Sequence, residues 1–169
     1  MHHFKTLGLI CLLFVPSLSM AQEGCACCTA NHQAFDFWVG EWQVMGPENK
    51  LAGTNSITKE QDGCVLKEHW TSINGAYSGT SYNFYNAQTE QWEQLWIDNN
   101  GGFLKLSGQR IGDQMIMRSA AQEDATGVPV VNRITWTRND DGSVRQLWEL
   151  LKGEEQPQVL FDGLYLKKT

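Results

Sequence analysis

Alternation with a period of two runs through almost the whole chain beyond residue 35, and it leaves little room for a helical fold. Gln91 to Asp98 reads QWEQLWID, placing Trp92, Gln94, Trp96 and Asp98 on one face. Cys64, Leu66, Glu68 and Trp70 oppose Val65, Lys67, His69 and Thr71, and Val144, Gln146 and Trp148 alternate with Arg145, Leu147 and Glu149. Alternation of this kind marks half-buried strands. Asp62-Gly63, Asn74-Gly75, Asn99 to Gly102, Gly112-Asp113 and Asp140 to Gly142 punctuate it with turn chemistry. Ten strands are expected, at about 36–46, 53–60, 64–73, 78–86, 91–98, 102–110, 114–119, 130–138, 143–150 and 158–167. Ala30 to Ala34 is read as a single helical turn, and Gln122 to Pro129 as the one longer polar connection. Short strands joined by tight turns imply an antiparallel meander, and closure into a barrel removes its two edges. A two-sheet sandwich is the competing all-β architecture.

The N-terminus bounds the compartment. His2, His3 and Lys5 precede an apolar run from Leu7 to Val15, then Pro16 and Ser19-Met20-Ala21. This is the pattern of a secretory signal peptide cleaved near Ala21. The run is too short to span a bilayer, which takes about 20 apolar residues. The domain plan is therefore a signal peptide over 1–21, a cysteine-rich segment over 22–35 and one β-barrel domain over 36–169. The mature chain is expected to be a soluble periplasmic or secreted protein with no membrane span. The formal net charge of −6 argues against nucleic acid as a partner, because phosphate binding needs a basic footprint.

Cys25, Cys27, Cys28 and Cys64 remain after the signal is removed. In an oxidising compartment such a set most often forms disulfides, here joining Cys64 to one of the other three. A second reading takes Cys25, Cys27, Cys28 and His32 as a soft copper or zinc site. Unpaired reactive thiols are a third.

The segment FDFWVGEWQV, Phe35 to Val44, resembles the first strand of an uncharacterised family of exported bacterial calycin-like barrels. It is also similar to the G-x-W signature of lipocalins and to the opening strand of nitrobindin-like barrels. The resemblance continues in order through DGCVLKEHW (62–70), SGTSYNFYNAQTEQWEQLWIDNNGGFLKLSG (78–108), NRITW (132–136) and VRQLWE (144–149). It implies a calycin-like barrel and says little about activity, since fold does not fix function. Haem is disfavoured: nitrobindin-like barrels hold iron through a histidine near the end of the chain, and no histidine follows His69 here. No resident cofactor is expected.

The chemistry lies in one recurring arrangement. Glu68, Trp70, Asn83, Tyr85, Trp92, Gln94, Trp96, Gln146 and Trp148 occupy alternating positions of four strands. Facing inward, they would line a lumen with indoles, amides and a carboxylate, suited to a small molecule with an apolar face and several polar groups. The alternative is a filled core in which Gln94 and Gln146 satisfy one another. Glu68 is the candidate catalytic acid or base of a lyase or isomerase, activated by burial. Its competing role is a structural ion pair with Arg133 or Arg145. Trp42 or Trp38, on the face of Asp36 and Gly40, is expected to plug the closed end.

Overall fold

The computed structural model describes residues 24–168, so the expected signal peptide lies outside the described residues. Eleven strands follow one another: β1 (Gly40–Met45), β2 (Leu51–Glu60), β3 (Val65–Ser72), β4 (Ser78–Asn86), β5 (Gln91–Asp98), β6 (Phe103–Ile111), β7 (Gln114–Arg118), β8 (Gln122–Glu123), β9 (Pro129–Arg138), β10 (Val144–Lys152) and β11 (Gln158–Lys167). All pairings are antiparallel. Each strand hydrogen-bonds to the next, except that β7 pairs with β9, leaving the two-residue β8 on the outside of the β9 start. β11 pairs with β1, with Val44 opposite Tyr165, and closes a ring of ten strands. The architecture is a closed barrel and not a sandwich, which agrees with the all-β expectation.

Two boundaries differ from the sequence reading for a physical reason. Asp36–Trp38 is a 3-10 turn, and the first strand starts only at Gly40, whose φ of 146° is closed to most residues. The chain thus folds under the barrel end before it enters the sheet. The polar connection after β7 is a small hairpin on β8, held by Asp124, whose Oδ1 accepts from the backbone N–H of Thr126 and Val128. Thr126 donates its hydroxyl to the same oxygen, and Lys152 pairs with Oδ2 at 2.9 Å. The helical turn expected before the first strand is present, with Gln33 N donating to Thr29 O.

The closed end is packed with aromatic rings. Phe35, Trp38 and Trp42 are completely buried. Phe35 stacks on Trp38 at 4.9 Å and meets the edges of Trp92 and Trp136 at 5.6 and 5.1 Å. Trp42 donates its indole N–H to the Trp38 carbonyl at 2.9 Å, so the two candidates for the plug are both part of it. Val44, Ile57, Leu66, Met115, Met117 and Val144 are buried in the same core cluster. Apolar burial of this extent, at about 25 cal/mol per Å², is the main stabilising term of the domain.

The N-terminal segment is fastened to the closed half of the barrel by one disulfide and cross-linked within itself by another. Cys27 joins Cys64, just before β3, and Cys25 joins Cys28. Asn31 adds two contacts, donating to the Tyr85 hydroxyl and accepting from Trp92 Nε1, both at 3.0 Å.

Candidate functional site

The open half of the barrel holds a cavity of about 330 Å³. Its lining includes Glu68, Trp70, Gln94, Trp96, Gln146 and Trp148, together with Tyr77, Ile134, Trp136, Phe161 and Tyr165. The volume falls at the lower end of the range for small-molecule sites. A hollow half-barrel needs large side chains that lie along the wall, and two inward glycines provide for that. A Cβ on Gly79 would stand 2.1 Å from Trp96 Cζ2, and a Cβ on Gly53 would stand 2.8 Å from Trp70 Cη2. Each indole therefore rests flat on the bare backbone of the neighbouring strand. Trp148 is fixed by donating Nε1 to Asn132 Oδ1 at 2.8 Å, and Trp70 meets the edge of Phe161 at 6.0 Å. At the mouth the Tyr77 hydroxyl donates to Asp98 Oδ2. A second recess of about 510 Å³ shares Tyr77, Trp96 and Trp148 with this cavity and is also bordered by Asp98, Phe103 and Lys105.

The cavity floor is a chain of polar side chains drawn from six strands. Glu68 on β3 is buried and accepts from Asn55 Nδ2 (2.7 Å) on one oxygen and from Ser81 Oγ (2.6 Å) on the other. On one side Asn55 Nδ2 also reaches the Tyr165 hydroxyl, which donates to Gln146 Oε1. On the other, Asn83 Nδ2 donates to Ser81 Oγ and to the Leu66 carbonyl, while its Oδ1 accepts from Gln94 Nε2 at 2.7 Å. Asn55 Oδ1 and Trp136 Nε1, both buried, have no partner among the described residues.

Burial outweighs the two hydrogen bonds and raises the Glu68 pKa from 4.5 to about 6. Burial, and then the nearby Glu68 carboxylate, push the Tyr165 phenol well above its ordinary value. The ion pair expected between Glu68 and an arginine is absent. Arg133 pairs with Glu149 at 2.8 Å and Arg145 with Asp162 at 2.7 Å. Both arginines sit at odd positions of strands whose even positions face inward, so they belong to the outer surface. Gln94 and Gln146 likewise do not satisfy one another: Gln94 bonds to Asn83 and Gln146 to Tyr165.

Three of the nine residues singled out in the sequence stand elsewhere. Asn83 is completely buried beneath the cavity as a link in the polar chain. Tyr85 and Trp92 lie at the closed end, where with Asn31, Ala34, Glu90 and Arg110 they border a separate recess of about 280 Å³. Asn55, Ser81, Tyr165, Tyr77 and Trp136 complete the site and were not anticipated. Tyr165 and Trp136 carried a usable signal, since alternation within 158–167 and 130–138 puts them on the same inward faces as Phe161 and Ile134.

The copper or zinc set of Cys25, Cys27, Cys28 and His32 is arranged otherwise. All three sulfurs are in disulfides, and His32 Nδ1 lies 2.7 Å from Thr29 Oγ1 with its ring against Tyr85. Among the described residues no three His, Cys, Asp or Glu side chains gather as a metal-holding group. No helix among them is long and apolar enough to cross a membrane.

No protein-family model matches the chain, and none of the curated proteins is significantly similar to it.

Proposed function

We propose that this protein is an exported barrel of the calycin-like type that binds a small molecule in its lumen. The observation that carries this reading is the open cavity above a hydrogen-bonded polar floor, walled by Trp70, Trp96, Trp136 and Trp148. Polar side chains placed in a core are costly unless they have partners, and here they form one chain that ends at the cavity surface. The two disulfides support export, because such bonds persist in oxidising compartments. The ordered run of motifs from Phe35 to Glu149 supports membership of the calycin-like family.

The test is native mass spectrometry of protein purified from the periplasm, with tryptophan fluorescence against fractionated small-molecule extracts. A retained mass or a saturable fluorescence change supports binding. Gln94→Leu should weaken such binding by about 1–3 kcal/mol, because a polar contact is lost. It should also lower stability, because Asn83 Oδ1 loses its donor. An empty protein that responds to no fraction refutes the reading.

One observation favours a second reading, an enzyme of the same fold. Glu68 meets the cavity with no cationic partner and a pKa near 6, which suits a general acid or base near neutral pH. Turnover of a bound compound by wild type and not by Glu68→Gln would establish it.

A further inference from the structure

The polar floor has a direction, and it is set by groups that cannot reverse. The Leu66 backbone carbonyl is an obligatory acceptor, so the atom of Asn83 that touches it is the amide nitrogen. Asn83 Oδ1 must then be the acceptor, which makes the neighbouring atom of Gln94 its N–H group. The Gln94 carbonyl oxygen is thereby the end left without a side-chain donor among the described residues. From the opposite side, the Glu68 carboxylate fixes Asn55 and Ser81 as donors to it. The Tyr165 hydroxyl donates onward to Gln146 Oε1. The Gln94 carbonyl oxygen and the carboxylate thus reach the lumen as acceptors, whereas Gln146, whose Oε1 accepts from Tyr165, has its amide nitrogen as the end without a side-chain partner among the described residues. Each carboxylate oxygen already accepts one hydrogen bond and retains capacity for another.

Charge points the same way. Glu68 is the one formally charged side chain in the cavity lining, which contains no Lys, Arg or His. The arginines nearest in sequence pattern are paired on the outer surface. The walls are indoles, the side chains whose faces attract cations most strongly. A neutral ligand would leave the buried carboxylate uncompensated, and an anionic one would meet it directly.

We propose, resting on the lumen-binding reading above, that the ligand is an organic ammonium ion. Its N–H groups would donate to Glu68 and to the Gln94 carbonyl oxygen. Its apolar or aromatic body would lie along Trp70, Trp96 and Trp148 toward the mouth. Such a cation compensates the one charged group of the lining and finds a second acceptor in the Gln94 carbonyl oxygen.

The test uses matched probes of one shape and three charges: 2-phenylethylamine, 2-phenylethanol and phenylacetate. Each is titrated near neutral pH into wild type and Glu68→Gln, read by tryptophan fluorescence and calorimetry. The amine should bind wild type about ten- to a hundredfold more tightly than the alcohol, the range for hydrogen bonds to charged groups. Phenylacetate should be weakest, and Glu68→Gln should remove the preference for the amine over the alcohol. A second measurement does not depend on the variant folding. Near pH 6 the amine should displace a proton from Glu68, seen as a dependence of the binding heat on buffer ionisation, and the alcohol should not. An alcohol that binds as tightly as the amine, or a preference that survives in Glu68→Gln, overturns the ammonium proposal and leaves lumen binding standing. Failure of all three probes, together with an empty protein that responds to no extract, overturns both.

Discussion

Replacing Glu68 by glutamine should change how stability depends on pH, in a direction that distinguishes a desolvated carboxyl from an ion-paired one. Burial raises this carboxyl from 4.5 to about 6 despite hydrogen bonds from Ser81 and Asn55. The folded state is therefore the better proton binder, and wild type loses stability as pH climbs through that window and recovers it below. A shift of this size corresponds to about 2 kcal/mol, at roughly 1.4 kcal/mol per pKa unit. Glutamine keeps the side-chain shape, and its carbonyl can still accept from Asn55, but it does not titrate. Any constant cost from the altered Ser81 contact is the same at every pH and cancels in the comparison. The stability of Glu68→Gln relative to wild type should thus rise by about 2 kcal/mol between about pH 4 and about pH 7.5. Urea unfolding midpoints taken at intervals across this range, for both proteins in one buffer series, provide the measurement. Curves that stay parallel to within about 0.5 kcal/mol would refute the argument. So would a wild type that gains on the variant as pH rises, since that is the behaviour of a carboxylate held by a cation.

Three further outcomes follow from the packing. Trp38→Ala should cost about 3–5 kcal/mol in chemical denaturation, because a completely buried indole leaves a cavity at the closed end; an unchanged midpoint would remove Trp38 from the plug. Cys27 and Cys64 are separated by 37 positions, and breaking their disulfide should cost about 4 kcal/mol in the chain-entropy account. Unfolding of Cys27→Ser/Cys64→Ser beside the oxidised protein measures this, and peptide mapping without reductant should recover the Cys27–Cys64 linkage. Gly79→Ala drives a methyl group into the Trp96 ring and should push that indole into the lumen. The expected result is a loss of about 1–3 kcal/mol of stability with a shifted tryptophan emission; a silent variant would place Trp96 elsewhere.

The strands were legible because alternation and turn residues agree with one another at nearly every step. Gln158–Lys167 was bounded by pattern alone. Closure was legible from the cost of bare edges. Alternation reports the face of a residue but not its height along the barrel axis. That is why Trp92, on the same face as Trp96, was grouped with it although stagger carries it to the closed end. The same limit applies to Tyr85. The outward position of Arg133 and Arg145 was readable from parity, and the opposite charge of Glu68 was a weaker guide than that parity. Asp36–Trp38 was not readable as a turn, because an aromatic plug and an aromatic strand have the same composition. That Cys64 bonds to the cluster was legible, but three cysteines within four positions share one reach, so the choice of Cys27 depended on the path of the turn.

The pairing of β11 with β1 has a consequence for how the chain is assembled. Nearly every other pairing joins neighbours in sequence and forms as soon as two adjacent strands exist, whereas this one joins residues 42–45 to residues 164–167. A chain emerging N-terminus first is therefore an open curved sheet, bare along β1 and along the most recently made strand, until Gln158–Lys167 arrives. The long-range step is the slow one, and the open sheet is the species exposed to edge-to-edge association. A lesion confined to the last ten residues of the sheet, far from Glu68 in sequence, would expose two edges at once. Its visible effect would be aggregation before closure, and at outward positions such as Val159 the lumen of any molecule that did close would keep its lining.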